Sequence, residues 1–217
     1  MKVSISASIL DCDFLRLEAE LRAITDAGID AIHLDIMDGH FVPNLSFGLP
    51  IARAVRQTVR VPIYVHLMVI NPETLIDKFA PYADFVIFHI EATEKPADCI
   101  NRIINANCAP GIALNPDTPV DKIQPFLSQI QNVLIMSVYP GFGGQQFISE
   151  SLGRIRRVRE IREQNSLNYT ISVDGGVGPT NAGKIIQAGA DILVAGSAIF
   201  KSTDYAHTIR QLKCLTP

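Results

Sequence analysis

His33 and Asp35 stand two positions apart in the segment Ala31-Ile32-His33-Leu34-Asp35-Ile36-Met37. In a β-strand, residues i and i+2 point to the same face. This imidazole and this carboxylate therefore project together, while Ile32, Leu34 and Ile36 project the other way. Two readings fit: a satisfied buried His–Asp pair, or half of a metal shell. The same alternation groups Tyr64, His66 and Met68 against Val65 and Leu67, and Thr170, Ser172 and Asp174 against Ile171 and Val173. If His33, Asp35, His66 and Asp174 converge, their nitrogen and oxygen donors suit one divalent ion: zinc, iron(II), cobalt or manganese. Magnesium and calcium prefer all-oxygen shells. Asp35 and Asp174 also form a candidate acid–base pair. Two carboxylates on opposite sides of a planar intermediate can remove a proton from one face and return one to the other, which inverts a carbon centre next to a metal-polarised ketone.

Eight strand-like runs must position these groups: Val3–Ser8, Asp30–Met37, Pro62–Met68, Asp84–Ile90, Ala109–Leu114, Asn132–Val138, Tyr169–Asp174 and Asp191–Ala195. Helix-like stretches alternate with them. Phe14–Ala27 carries Leu17, Leu21 and Ile24 on one stripe; Glu150–Gln164 is another; Gly28 and Gly189 stand where C-terminal caps would. Strands alternating with helices imply a parallel sheet with helical crossovers. Eight units without a long linker predict one α/β domain over 1–217, a single (β/α)8 TIM barrel; a doubly wound open sheet is the alternative. In the barrel, the more polar face of each strand lines the interior and the site lies at the C-terminal ends of the strands, where His33, Asp35, His66 and Asp174 fall.

Three glycine-rich turns follow the last three strands: Gly141-Phe142-Gly143-Gly144 after Pro140, Gly175-Gly176 after Asp174, and Gly196-Ser197 after Ala195. Glycine lets backbone N–H groups approach an anion, and the last two turns are the usual phosphate site of this fold. No Lys or Arg occurs in 133–153, 163–183 or 194–200. Phosphate binding is therefore expected to rest on backbone amides, helix dipoles and the Ser197 hydroxyl. All seven lysines lie away from the predicted strand ends, which disfavours a Schiff-base aldolase or a lysine-dependent decarboxylase.

A net charge of −3 implies no broad basic surface and no nucleic-acid partner. The N-terminal MKVSISASIL alternates like a strand rather than a leader, and no apolar run approaches a membrane span. Cys12, Cys99, Cys108 and Cys214 have no metal-binding spacing and are expected as free thiols in a reducing, cytoplasmic setting. Met37, Met68 and Met136 share inward parity; they fit core filler or an apolar cap around an intermediate. The connection from Asp38 to Asn44 is long enough for a lid or an oligomer contact. His40 and His89 are expected as structural or surface groups, and Arg154, Arg156, Arg157, Arg159 and Arg162 as a solvated helix face.

The segments His33-Leu34-Asp35-Ile36-Met37-Asp38-Gly39-His40-Phe41-Val42-Pro43-Asn44-Leu45-Ser46 and Met136-Ser137-Val138-Tyr139-Pro140-Gly141-Phe142-Gly143-Gly144-Gln145-Gln146-Phe147 resemble the two signatures of the ribulose-phosphate 3-epimerases. Shorter matches surround Ser6–Leu10, Val65–Met68, Val173–Val177 and Ala195–Phe200, so the resemblance runs nearly end to end. It implies a (β/α)8 barrel of the ribulose-phosphate-binding type that interconverts D-ribulose 5-phosphate and D-xylulose 5-phosphate through a cis-enediolate, with one divalent metal and no organic cofactor. By position it implies His33, Asp35, His66 and Asp174 as metal ligands and Asp35 and Asp174 as acid and base. Ser8, His66 and Asp174 match substrate contacts, and Met37, Met68 and Met136 match residues around the enediolate. Gly141, Phe142, Gly143, Gly144, Gly175, Gly176, Gly196 and Ser197 match the phosphate side. A homo-oligomer, dimer to hexamer, is implied by resemblance alone. Tyr139 departs from the pattern, where a smaller polar or acidic residue is more usual. Epimerisation of a related ketose phosphate such as D-allulose 6-phosphate is the alternative, and a non-catalytic sugar-phosphate-binding barrel a remoter one.

Overall fold

The computed structural model describes residues 3–214. Eight parallel strands close into a barrel in sequence order: β1 (Ser4–Ser8), β2 (Ala31–Met37), β3 (Ile63–Met68), β4 (Phe85–His89), β5 (Ala109–Leu114), β6 (Asn132–Met136), β7 (Thr170–Asp174) and β8 (Ile192–Ala195), with β8 pairing back onto β1. The helices around it are α1 (Leu17–Asp26), α2 (Leu49–Thr58), α3 (Ile76–Phe79), α4 (Pro96–Asn105), α5 (Ser151–Gln164), α6 (Ala182–Ala188), α7 (Ser197–Phe200) and α8 (Tyr205–Leu212). The closed β/α barrel is the architecture expected from the alternation, and the open-sheet alternative falls. Among the described residues, no helix is long and apolar enough to cross a membrane.

Strand parity divides the core. The outward members Ile5, Ile32, Leu34, Val65, Ile171 and Val173 pack with α1, α2, α4, α5 and α6 in one continuous apolar layer. The inward members Ala31, Tyr64, Ile87, Ala113, Leu134 and Ile192 fill the lower barrel interior. At the opposite face from the candidate site, Asp30, Asp84 and Asp191 each precede a strand and repeat one device. Each carboxylate accepts a backbone N–H, from Ile5, Ile63 and Ile171 respectively, at 2.8 Å. Each also pairs with a cation, Lys213, Arg56 or Arg162. These clamps tie adjacent strands at the end of the barrel that serves stability rather than chemistry.

Several expectations change. Phe14–Ala27 is not one helix: Asp13 accepts the Leu15 N–H and opens a 3-10 turn over Phe14–Arg16 before α1. The β5–β6 crossover carries only a 3-10 segment, Val120–Phe126, because Pro119 and Pro125 remove backbone donors and block a regular helix. The β3–β4 crossover holds only the four-residue α3 between 3-10 turns containing Pro72 and Pro81. The arginine cluster on α5 is not uniformly solvated. Arg154 turns inward and donates to the carbonyls of Met136, Asn115 and Thr118 at 3.0, 2.7 and 3.3 Å, and Arg162 pairs with Asp191. Arg156 and Arg157 are exposed as expected.

Candidate active site and metal centre

Register places the four candidate ligands at one mouth of the barrel. Asp35 lies beside His66 across the β2–β3 pair, and β7 ends on Asp174. The His33 Nε2 and His66 Nδ1 atoms are 3.2 Å apart. Asp35 Oδ1 lies 3.2 Å from the first and 3.1 Å from the second; Asp174 Oδ2 lies 3.6 and 3.8 Å from them. One donor atom from each residue falls within 4.8 Å of every other. Ligands about 2.0–2.1 Å from a tetrahedral ion are separated by about 3.3–3.4 Å, so the five shorter separations straddle the edge that such an ion requires. The two nitrogens and two oxygens, nearly sealed from solvent, fit a divalent cation of the zinc or iron(II) kind. The cluster is able to hold a metal ion, and its donors do not select which.

A cavity of about 360 Å³ opens over the cluster, within the usual range for small-ligand sites. Asp35 and Asp174 reach its floor, while His33 and His66 lie buried beneath. Ser8 donates to Asp35 Oδ2 at 2.6 Å, so one oxygen of Asp35 serves the imidazoles and the other faces a hydroxyl in the cavity. Met37, Met68 and Met136 line the walls; Met37 and Met68 pack with Val42, Leu10 and Phe41. The opposite wall is made of Gly141, Phe142, Gly143, Gly144, Gly175, Gly176, Gly196 and Ser197. Every candidate substrate contact therefore meets this cavity or, for His66, the cluster below it. The glycines are there for close approach. At Gly176 the backbone has φ +62, and a Cβ would sit 2.4 Å from the Phe147 nitrogen. Ser137 holds this turn by donating to the Asp174 and Gly175 carbonyls at 2.8 and 2.7 Å.

The profile described as the Ribulose-phosphate 3 epimerase family matches residues 4–200. The chain belongs to the ribulose-phosphate 3-epimerase family. It is an epimerase, an enzyme of the isomerase class. The ribulose-phosphate 3-epimerase of Methanocaldococcus jannaschii is 42% identical over 211 residues, covering 97% of this chain and 90% of that one. The Escherichia coli K12 ribulose-phosphate 3-epimerase is 39% identical over 211 residues, covering 96% and 94%. The crystal structure of KGPDC from Streptococcus mutans matches at TM-score 0.74 and 16% identity, covering 99% and 97%, a likeness of fold alone.

The electrostatics of the epimerase site follow from crowding charged groups out of water. Burial opposes ionisation of Asp35, but the charge and hydrogen bond of His33 hold its carboxyl well below the usual range. Burial and the neighbouring Asp35 push Asp174 the other way, up to about 7. Burial opposes protonation of His33 as well, yet Asp35 and Asp174 keep its pKa above the ordinary value. His66 is brought down to about 3 by burial.

Sequence reading missed three groups. Lys201, one residue beyond the cation-free window 194–200, lines the cavity with its Nζ 3.7 Å from Asp11 Oδ1. Asp11 packs against the glycine turns, its Oδ2 only 2.6 Å from where a Cβ on Gly143 would stand. His89 is fully buried against His66, outside the ligand set. Only the parity of His89 with Ile87 on β4 signalled an inward position. His40 is exposed and turns back to the Asp38 carbonyl. Its loop is tied down rather than free: Asp38 accepts N–H bonds from His40, Phe41 and Ile70, and Asn44 donates to the Gly141 carbonyl at 2.7 Å. Tyr139, the departure from the family pattern, donates to Asp117 and is half exposed. All four cysteines are free, three of them buried.

Proposed function

We propose that this epimerase interconverts D-ribulose 5-phosphate and D-xylulose 5-phosphate, with Asp35 and Asp174 as opposed proton carriers. The observation that carries the reading is that two carboxylates, buried Asp35 from β2 and largely buried Asp174 from β7, reach one cavity floor beside the His33–His66 pair. Opposite them stand glycine turns suited to a phosphate. A pentulose phosphate bridges these two poles: its phosphate accepts N–H bonds from the turns at Gly143–Gly144, Gly175–Gly176 and Gly196–Ser197, and its C2–C3 end reaches the carboxylates.

His33, Asp35, His66 and Asp174 would hold a divalent cation, which when bound polarises the ketone and offsets the negative charge that develops beside it. One aspartate takes the C3 proton, leaving a planar cis-enediolate. The other donates its proton to the opposite face of C3. One proton has moved in and one out, and the two carboxyl groups have exchanged protonation states; the reverse reaction restores them. The Ser8 hydroxyl orients Asp35 through its second oxygen. Met37, Met68 and Met136 pack around the intermediate and exclude water without offering a competing acid. Incubating either pentulose phosphate with the protein in D2O tests the reading. Deuterium is expected at C3 of recovered sugar, with both epimers present; epimerisation without isotope incorporation would exclude proton transfer. A parallel panel including D-allulose 6-phosphate separates five- from six-carbon substrates.

A further inference from the structure

His66 has one neighbour that the cluster does not explain. Its Nε2, turned away from the other ligand atoms, lies 2.8 Å from His89 Nε2. The Nδ1 of His89 lies 3.2 Å from Glu91 Oε2. The other oxygen of that carboxylate, Oε1, accepts the Asn115 N–H at 2.9 Å. Both imidazoles are fully buried, and Phe41 lies over the His89 ring at 4.7 Å between centroids. These groups form a line from the end of β5, through the turn after β4, to the metal-facing side of β3.

We propose that Glu91 and His89 are positioning residues that fix the ring orientation and tautomer of His66, so that its Nδ1 lone pair points into the cluster. The proposal rests on the reading of His33, Asp35, His66 and Asp174 as a metal site. A hydrogen bond between two imidazole nitrogens holds one proton, so the line has a direction. A carboxylate only accepts; on a His89 ring that carries one proton, it sets that proton on Nδ1. The His89 Nε2 is then an acceptor, which places the His66 proton on Nε2. The His66 Nδ1 is left bare, facing Asp35 Oδ1 at 3.1 Å and His33 Nε2 at 3.2 Å. The opposite tautomer would aim an N–H at the place a cation occupies. Glu91 is suited to hold this direction. Burial opposes its charge, but the bonds from His89, Thr118 and Asn115 bring its carboxyl down to about 2. Because the two donors meet different oxygens, an amide there would turn its NH2 toward one of them.

Two measurements test this. The first is long-range 1H–15N correlation on the metal-free protein, expected to report Nε2–H for His66 and Nδ1–H for His89. A protonated His66 Nδ1 with a bare Nε2 would overturn the proposal. The second is Zn2+ affinity by competition with a chromophoric chelator, supported by the visible spectrum of bound Co2+, for three variants. His89→Met keeps the bulk but loses a strong acceptor and is expected to weaken Zn2+ binding about 10- to 100-fold. His89→Gln, which can present an oxygen near the position of Nε2, is expected to recover most of that loss. Glu91→Gln, farther from the core, is expected to weaken binding and perturb the Co2+ spectrum. The melting temperature of each metal-free variant is measured alongside. Equal Zn2+ affinity in all variants, or losses in His89→Met and His89→Gln that follow only their melting temperatures, would overturn the proposal and leave His89 as packing. Failure of the unsubstituted protein to bind either ion would overturn the metal reading itself, and the relay with it.

Discussion

Asp174→Asn separates the two aspartates most cleanly. The amide keeps the shape and one oxygen of the side chain but cannot carry the proton. Asp174 Oδ2 stands 3.6 and 3.8 Å from the two imidazole nitrogens, against 3.2 and 3.1 Å for Asp35 Oδ1. Asp174 is thus the looser carboxylate of the cluster, and its amide variant is expected to retain bound metal better than Asp35→Asn. Loss of a general acid or base costs about 10²–10⁴-fold, so kcat should fall by that factor, about 3–5 kcal/mol in barrier. The equilibrium constant is untouched, so kcat/KM falls equally in both directions. Isotope washout should not fall equally. The C3 hydrogen of one epimer still faces Asp35 and exchanges; that of the other faces the amide and does not. The assay follows loss of deuterium from each C3-deuterated pentulose phosphate by NMR, on variant protein whose metal content is measured in the same sample. Equal washout from both epimers, in a metal-loaded variant, would refute the two-carrier argument and leave Asp174 a ligand only.

Three further outcomes follow from the same geometry. Gly176→Ala places a methyl 2.4 Å from the Phe147 nitrogen at φ +62. The turn must shift, at a cost of about 1–3 kcal/mol in stability, and loss of one charged hydrogen bond to phosphate raises KM about 10- to 100-fold; thermal melts and steady-state kinetics check both, and an unchanged KM removes this turn from phosphate binding. Lys201→Met should raise KM only a few-fold at low salt, with the effect gone at roughly 0.5 M salt, because the side chain is two-thirds exposed; a salt-independent change contradicts that role. Thiol titration of the native protein should modify Cys214 alone, and all four cysteines after denaturation. Burial pushes Cys12 and Cys99 up to about 12. Their contribution to stability is complete below the ordinary thiol value and is lost as pH rises from about 9 toward 12, measurable as a falling denaturation midpoint; rapid native modification of Cys99 would contradict its burial.

What could be read from the sequence was what depends on local period. The alternation through His33, Asp35 and Met37 fixed their common face, and a parallel register then carried Asp35 to the side of His66 and Met37 to Met68. Strand ends came within two residues because apolar runs in a closed barrel stop where the backbone leaves the sheet. What could not be read were contacts set by two distant elements at once. Asp11 and Lys201 meet only because β8 closes on β1. Glu91 finds His89 two residues away, but the value of that pair depends on His66 across β3–β4. Arg154 looked like one of five solvated arginines, and only the carbonyls at the ends of β5 and β6 explain its inward turn. Proline spacing in 116–125 did carry the signal that the β5–β6 crossover is not an α-helix.

The division of the barrel explains how such a site can persist. Four imidazole and carboxyl groups, His33, Asp35, His66 and His89, are almost wholly buried at one end of the barrel. Among the described residues, the buried Ser6 Oγ, His33 Nδ1 and Asn132 Oδ1 find no hydrogen-bond partner. Each such burial is destabilising. The cost is met elsewhere: by the apolar layer between strands and helices, and by the three aspartate clamps on the opposite face. The clamps do not line the cavity. Substitutions at the clamps should therefore lower stability with little effect on KM, whereas substitutions along Glu91, His89 and His66 should act on the cluster before they act on the fold. A clamp variant such as Asp84→Asn that raised KM while its melting temperature stayed unchanged would break this separation.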